Sequence, residues 1–378
     1  MKIVLVGPVA PYRGGIAYFT ATLARQLEAS GHQVQLISFR KQYPRLLYPG
    51  KSDKDNSLGK PIIGVIYPFS PFNPLDWHRT LTEIKRISPD LVIYQWWVTF
   101  WAPATAWLLG KLNKVNIPVK ALVHNTFPHE ARWFDRAATS WALRNANSFV
   151  TMAEGEAIRL KTVIPENSEV QIATHPVFQQ FPASGLSKAA VRAQLGLPAD
   201  APLALFFGFV RPYKGLEVLL DAMHLLKQND SPIHLVIAGE FWQSQATYES
   251  LIRKLGLEEK VSIHAYYIPD NKAGLYFEAA DMFVAPYLDG TQSGSIKQAM
   301  SYNLPLVISD VIADPMIRAY NCGLEITPAG DAVVLAKAMQ NALSIQKGVK
   351  KCGDYAQESW NNLISALTTS HNRNTAGS

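Results

Sequence analysis

The sequence predicts an α/β protein of two domains, each built on a doubly wound, mostly parallel sheet. Three observations carry this expectation. Short apolar runs such as residues 2–6 (KIVLV) and 119–123 (VKALV) alternate with helical patterns about six times in the first half, as parallel strands buried on both faces require. At 378 residues the chain exceeds what one hydrophobic core usually serves. Residues 178–200 gather Pro182, Gly185, Gly196 and Pro198 around a short helical stretch, the composition of a crossing between domains. The expected division is 1–178, 179–350 and a terminal stretch, 351–378.

A composition of 48% hydrophobic and 17% charged residues belongs to a well-packed globular protein. The two cysteines, Cys322 and Cys352, have neither CxxC spacing nor a histidine at metal spacing. No disulfide framework or structural zinc is expected, and a reducing cytoplasm fits. No apolar run is long enough to span a bilayer, and residues 1–7 lack the form of a cleavable signal, so a soluble, non-secreted protein is expected.

The net charge of +6 is unevenly spread: residues 1–180 carry 20 Lys/Arg against 12 Asp/Glu, whereas 181–378 carry 16 against 18. This asymmetry suits an anionic partner, either a phosphate-bearing substrate or an anionic membrane surface. A solvated basic face accounts for it equally. Zinc-finger spacing and RNA-binding signatures are absent, so nucleic acid is not an expected partner.

In the first half, strand 2–6 stops at Gly7-Pro8. Gly14 and Gly15 then precede a helical pattern of Ile16, Phe19, Leu23 and Leu27, which closes at Gly31 before strand 34–39. Lacking side chains, these glycines let a ligand approach a helix N-terminus closely, although a tight turn alone also explains them. The pattern is not GxGxxG and no acid ends the second strand, which argues against a nicotinamide dehydrogenase.

Residues 41–61 read as a long basic loop. Helix 75–87 and strand 91–94 follow, then Trp96, Trp97, Phe100, Trp101 and Trp107. These aromatics either floor a sugar or lipid pocket or pack in the core. Strand 119–123 delivers His124, with His129 and Glu130 close behind, to the carboxyl end where ligands bind in such sheets. Helix 133–147, strand 148–152, helix 154–162 and strand 170–173, leading to His175-Pro176, complete the half.

The second half opens with strand 203–207, the turn GFVRPYKG and helix 216–226. Arg211 and Lys214 stand three apart between strand and helix start, where both cations can converge with helix N–H groups on one diphosphate. A second turn of this kind lies between strand 282–285 and helix 295–302, where Thr291, Ser293 and Gly294 either cradle a phosphate or simply cap the helix. Glu240, after strand 234–238, is either a cleft residue or an ordinary strand-to-turn residue. Strand 261–265, helix 332–343 and a terminal helix, 355–367 with Trp360, precede a tail expected to be disordered.

Taken in order, GGIAYFTATLARQLEASGHQV, HNTFPHE, FFGFVRPYKGLEVLLDAM, LVIAGE, ADMFVAPY, TQSG, QAMSYNLPLVISD and NCGLEITPAGD resemble the family 4 glycosyltransferases over nearly the whole chain. These are retaining enzymes of GT-B architecture, two Rossmann-like domains facing each other across a cleft. The resemblance implies transfer of a hexose from a nucleotide-diphosphate sugar to a hydroxyl of a saccharide or lipid-linked acceptor. It implies that Gly14, Gly15, Arg211 and Lys214 bind the donor diphosphate and that Thr291, Gln292, Ser293 and Gly294 face the phosphates. Tyr267 and Ile268 would lie against the nucleotide base, and His124 near the transferred sugar. The last helix would cross back onto the first domain.

His124, Arg211 and Lys214 are the expected catalytic group. Neither cofactor nor metal is expected, because the two cations and the helix N-termini would stabilise the leaving diphosphate. The expected location is cytoplasmic, with peripheral contact at the inner membrane surface through the basic first domain.

Departures from the family pattern bear on the donor. Two glutamates eight positions apart are usual; here Gly290 holds the first place and Gln298 the second. Gln298 can still hydrogen-bond a ribose, and Asp289 is placed to substitute for the carboxylate missing at Gly290. The usual Gly-Arg pair reads Gly208-Phe209, with Arg211 two residues later. Two alternatives therefore stand beside the transferase: a sugar-nucleotide epimerase on the same scaffold, and a non-catalytic nucleotide-sugar or glycan binder.

Overall fold

The computed structural model describes residues 1–12, 14–42, 53–54, 64–128, 133–177, 181, 183–290, 293–345 and 353–369. Two sheets organise these residues, and their strands pair in parallel throughout. The first contains β1 (Lys2–Val6), β2 (Gln33–Phe39), β3 (Ile66–Phe69), β4 (Leu91–Trp96), β5 (Val119–Val123), β6 (Ser148–Thr151) and β7 (Val170–Ile172). Its spatial order is β3-β2-β1-β4-β5-β6-β7. Helices α1 (Gly15–Ala29), α2 (Pro74–Ile87), α3 (Ala102–Lys114), α4 (Asp135–Leu143) and α5 (Glu154–Lys161) connect the strands. Ile3, Val4, Leu5, Ala121 and Leu122 are fully buried, since both faces of the sheet are covered and an apolar run is the only composition that suits it.

Local chemistry sets the helix ends. The side chain of Asn73 accepts from Leu75 N at 3.1 Å to cap α2, Pro74 occupies its first position, and Lys85 and Arg86 complement the dipole in its last turn.

The second sheet follows α6 (Lys188–Gln194). It contains β8 (Leu203–Phe207), β9 (His234–Ala238), β10 (Val261–His264), β11 (Met282–Ala285), β12 (Leu306–Ser309) and β13 (Leu324–Thr327), in the order β10-β9-β8-β11-β12-β13. Around it lie α7 (Leu216–Gln228), α8 (Gln245–Lys254), α9 (Asp270–Ala279), α10 (Gly294–Ser301), α11 (Pro315–Arg318) and α12 (Ala332–Ser344). In each sheet the strand order reverses at one place, between β1 and β4 and between β8 and β11. Loops leaving the carboxyl ends there diverge and open a crevice, the usual ligand site of open α/β sheets.

The terminal helix α13 (Gly353–Thr368) lies against the first sheet's helical layer. Trp360, Leu363, Ile364 and Leu367 join one core cluster with Leu5, Phe19, Leu23 and Leu27. Lys120 Nζ donates to the carbonyls of Ala366 at 2.8 Å and Thr369 at 3.0 Å, and Thr174 N donates to Asn362 Oδ1 at 2.8 Å.

Most expected elements match to within a few residues, whereas β3, α3, α8, α9, α11 and β13 were not anticipated. The aromatic cluster after β4 does not floor the cleft. Trp96 and Trp101 are fully buried in the first core, Trp101 packing at 4.2 Å from Trp97 and 4.6 Å from Phe39. The expected division at 178/179, most of the loop 41–61, His129, Glu130, Cys352 and the tail from 370 lie outside the described residues.

Candidate active site

The carboxyl ends of the two sheets bound one cavity of about 340 Å³. Gly14, Gly15, Phe19, His124 and His175 line it from the first domain. Lys214, Tyr287, Ser293, Gly294 and Gln298 line it from the second, with Tyr267 and Ile268 further along the same wall.

On the first side, Gly14 has φ +105°, a conformation costly for any residue with a side chain, and no side chain caps α1. A Cβ at Gly14 or at Gly15 would meet nothing within 4 Å. The N-terminus of α1, with its partial positive charge, thus opens onto empty space large enough for an anion.

On the second side, Ser293 Oγ caps α10 by accepting from Ile296 N at 3.4 Å, the capping role anticipated for this turn. A Cβ at Gly294 would again meet open space. The Tyr287 hydroxyl lies 3.1 Å from Ser293 Oγ, and Lys214 Nζ lies 5.5 Å from the Tyr287 ring centre. Burial raises the Tyr287 phenol, but the Lys214 charge and hydrogen bonds with Ser293, Ser295 and Lys214 outweigh it and leave the phenol below its ordinary value. One ammonium and one helix N-terminus therefore bear on the same corner.

His124 is held from behind. Thr20 Oγ1 donates to Ile16 O at 2.7 Å, so it can only accept from Gln95 Nε2 at 2.9 Å. Gln95 Oε1 must then face the ring, 2.8 Å from His124 Nε2. This chain fixes the hydrogen on Nε2 and makes Nδ1 an acceptor. Burial, and then the neighbouring His175, push His124 down to about 3, so the ring is neutral near pH 7. His175 is pushed down to about 4 by burial and then by the Lys297 ammonium. Lys297 is itself buried on α10 and pairs with Asp314 at 2.6 Å.

The remaining expected residues are placed as follows. Arg211 does not line the cavity; its guanidinium lies 5.1 Å from the ring centres of both Tyr213 and Trp242. Gln298 lines the cavity and donates to Ser301 Oγ at 3.1 Å. Thr291 and Gln292 lie outside the described residues. Asp289 does not take the place of the missing carboxylate: it accepts from its neighbour Gly290 N and lies 3.9 Å from Arg159, away from the cavity wall. A Cβ at Gly290 would stand 3.2 Å from Ile312 Cδ1, so the place of the first glutamate is crowded by an apolar side chain.

Sequence reasoning missed His175, Tyr287 and Lys297 as parts of the site. His175 had a usable signal, since it follows a strand's carboxyl end as His124 does. Tyr287 and Lys297 had none, because each resembles a routine turn or helix residue until the fold buries it. Among the described residues no group of three or more His, Cys, Asp or Glu is arranged to hold a metal ion, and no helix is long and apolar enough to cross a membrane.

Two parallel α/β domains with their carboxyl ends on a shared cleft are the GT-B arrangement of glycosyltransferases. Residues 13–172 match the model of Glycosyltransferase Family 4, and residues 187–359 that of Glycosyl transferases group 1. The chain belongs to the family 4 glycosyltransferases.

A GDP-mannose:glycolipid 4-beta-D-mannosyltransferase of Xanthomonas campestris pv. campestris is 27% identical over 53% of this chain and 53% of its own length. A D-inositol 3-phosphate glycosyltransferase of Streptomyces bingchenggensis is 25% identical over 69% of this chain and 60% of its own. The match thus spans about half the length of the first of these relatives. Among solved structures, sucrose-phosphate synthase from Thermosynechococcus elongatus superposes with a TM-score of 0.68 at 18% identity, covering 97% of this chain and 94% of that one. Anabaena HepE in complex with UDP and glucose gives 0.66 at 14% identity, covering 97% and 95%. At these identities the structural likeness concerns the fold.

Proposed function

We propose that this protein transfers a hexose, with retention, from a nucleotide-diphosphate sugar to a hydroxyl of a saccharide or lipid-linked acceptor. The observation carrying this reading is that the open N-terminus of α1, the N-terminus of α10 and Lys214 all border one cavity between the two sheets. Negative charge develops on the phosphate oxygens as the glycosidic bond breaks, and preorganised N–H groups with one ammonium stabilise it without solvent rearrangement. The leaving phosphate takes the proton of the incoming hydroxyl, so neither a carboxylate pair nor a metal is required. Neutral His124 accepts a hydroxyl of the transferred sugar at Nδ1, and Gln298 holds the ribose. Arg211 reaches the diphosphate only when the domains close.

The relatives act on glycolipid and inositol phosphate acceptors by name, which supports a polar, lipid-linked or phosphorylated acceptor on the first domain. Exposed Leu75 and Trp133, together with that domain's basic surplus, support peripheral contact with an anionic membrane on the cytoplasmic side. The crowding at Gly290 favours one second reading, a binder without turnover.

The test is incubation with UDP-, GDP- and ADP-hexoses and saccharide or glycolipid acceptors, with NMR of the product's anomeric centre. Retention is expected. An inverted product would sink the retaining mechanism and call for a base, while tight donor binding with neither transfer nor hydrolysis would establish the binder.

A further inference from the structure

Glu240 is 6% exposed and forms part of the cavity wall, yet the diphosphate chemistry gives it no task. Its place in the fold is well fixed. It follows β9, and Gly239 N donates to His264 O at 3.1 Å, tying its turn to the end of β10. Val210 N donates to Glu240 O at 2.9 Å, tying the same turn to the loop after β8. The backbones are so close that a Cβ on Gly239 would lie 1.8 Å from Gly208 O. Only glycine permits this approach, and it leaves Glu240 at the head of the turn.

Aromatic faces flank it, and further along the same wall Asp270 accepts from the Tyr267 hydroxyl at 3.3 Å. Phe209 and Tyr267 line the cavity with near-parallel rings, 28° apart at 6.4 Å, and Trp242 packs behind Phe209 at 4.8 Å. Such faces suit the π-surface of a base. Lateral distance suits it too. In the strand order β10-β9-β8-β11, Glu240 stands two strands and Tyr267 three from β11, whose loop leads to Ser293 and Gly294. At roughly 4.8 Å per strand this is about 10–15 Å, the reach of a nucleoside diphosphate from its phosphates to its base edge.

We infer that Glu240 selects guanine as the donor base. The inference rests on the proposed use of this cavity for a nucleotide-diphosphate donor and deepens it. A carboxylate is an acceptor at both oxygens. Guanine presents two donors side by side, N1–H and the 2-amino group, and a carboxylate takes both at once. Uracil presents one N–H between two carbonyl oxygens, so a second carboxylate oxygen would face an acceptor. Adenine pairs a donor with a ring acceptor and meets the same conflict. Discrimination therefore comes from repulsion of the wrong edge as well as attraction of the right one.

The experiment is calorimetric binding of GDP, UDP and ADP to the full chain, to Glu240→Gln and to Lys214→Ala. The wild type is expected to bind GDP about tenfold to a hundredfold more tightly than UDP or ADP, the usual worth of a bidentate base contact. Glu240→Gln should erase most of that preference while changing UDP affinity little, and Lys214→Ala should weaken all three alike. A wild type that binds UDP or ADP as tightly as GDP overturns the guanine assignment and leaves the donor site standing, provided Lys214→Ala still weakens it. Equal weakening of all three by Glu240→Gln also overturns it, since that points to a ribose or structural contact. Binding of none of the three overturns both readings. The wild-type preference alone decides the matter if Glu240→Gln does not fold.

Discussion

Gln95 Oε1 and His124 Nε2 lie 2.8 Å apart across the neighbouring strands β4 and β5, and the amide dictates which ring nitrogen carries the hydrogen. A carboxylate in the same place would favour the imidazolium. Gln95→Glu should therefore make His124 titrate at a higher pH than in the wild type, followed by NMR of the ring protons. An unmoved titration would mean that the amide does not set the ring's state. His124→Ala, which removes one neutral hydrogen bond near the sugar, is expected to slow transfer by about tenfold.

Lys214 borders the cavity while Arg211 is held against Tyr213 and Trp242, so the two cations should not be equivalent. Lys214→Ala is expected to weaken nucleoside diphosphate binding by about 1.5–3 kcal/mol, the worth of a hydrogen bond to a charged group. Arg211→Ala should cost less. Calorimetry on both variants decides this, and the reverse order would mean that ligand binding draws Arg211 off its aromatic neighbours.

The settings of His124, which is buried, and His175, which is half-buried, have a consequence for acid stability. Both are depressed in the folded protein, to about 3 and about 4, whereas an unfolded histidine titrates near 6.5. Below about pH 6.5 the unfolded chain takes up protons that the folded site refuses, so stability is full above that pH and falls as pH drops towards 4. Each histidine should contribute a slope of about 1.4 kcal/mol per pH unit in that window. Urea midpoints measured from pH 7.5 to 4.5 on the wild type and on His175→Gln test it. The variant should show the shallower decline, and identical declines would refute the assignment.

The fold was legible in the sequence because strands buried on both faces can only be apolar runs, and six such runs stood out between helical patterns. Three of the elements that escaped have a clear physical reason. In α3 (APATAWLLGKLNK) Ala102, Ala104, Thr105, Leu108 and Leu109 are all buried, so much of the circumference is apolar and no stripe marks it as a helix. β3 and β13 are four-residue strands outside the middle of their sheets, too short for periodicity. The cavity's glycines and Lys214 could be found because turn chemistry before a helix is local. Tyr287 and Lys297 could not, because their roles come from pairings between separate segments, Tyr287 with Lys214 and Lys297 with Asp314. His175 carried a local signal in its place after a strand's carboxyl end, but its electrostatic neighbours across the domain seam left none. Trp96 and Trp101 show the converse, a conspicuous sequence cluster that the fold uses only for packing.

The terminal helix should matter to the site as well as to stability. Trp360 is 2% exposed and stacks on Phe19 at 5.7 Å, and Phe19 in turn lines the cavity, its ring meeting His124 edge-on at 5.2 Å. Removing the indole leaves a void behind Phe19 that the surrounding helices can fill only in part. Trp360→Ala is expected to cost about 3–5 kcal/mol in denaturant unfolding, and Trp360→Phe distinctly less. Because Phe19 would gain freedom to tilt, the alanine variant should also lose donor turnover at temperatures where it remains folded. A cost below about 1 kcal/mol would place Trp360 among ordinary surface changes and mean that α13 does not brace the cavity wall.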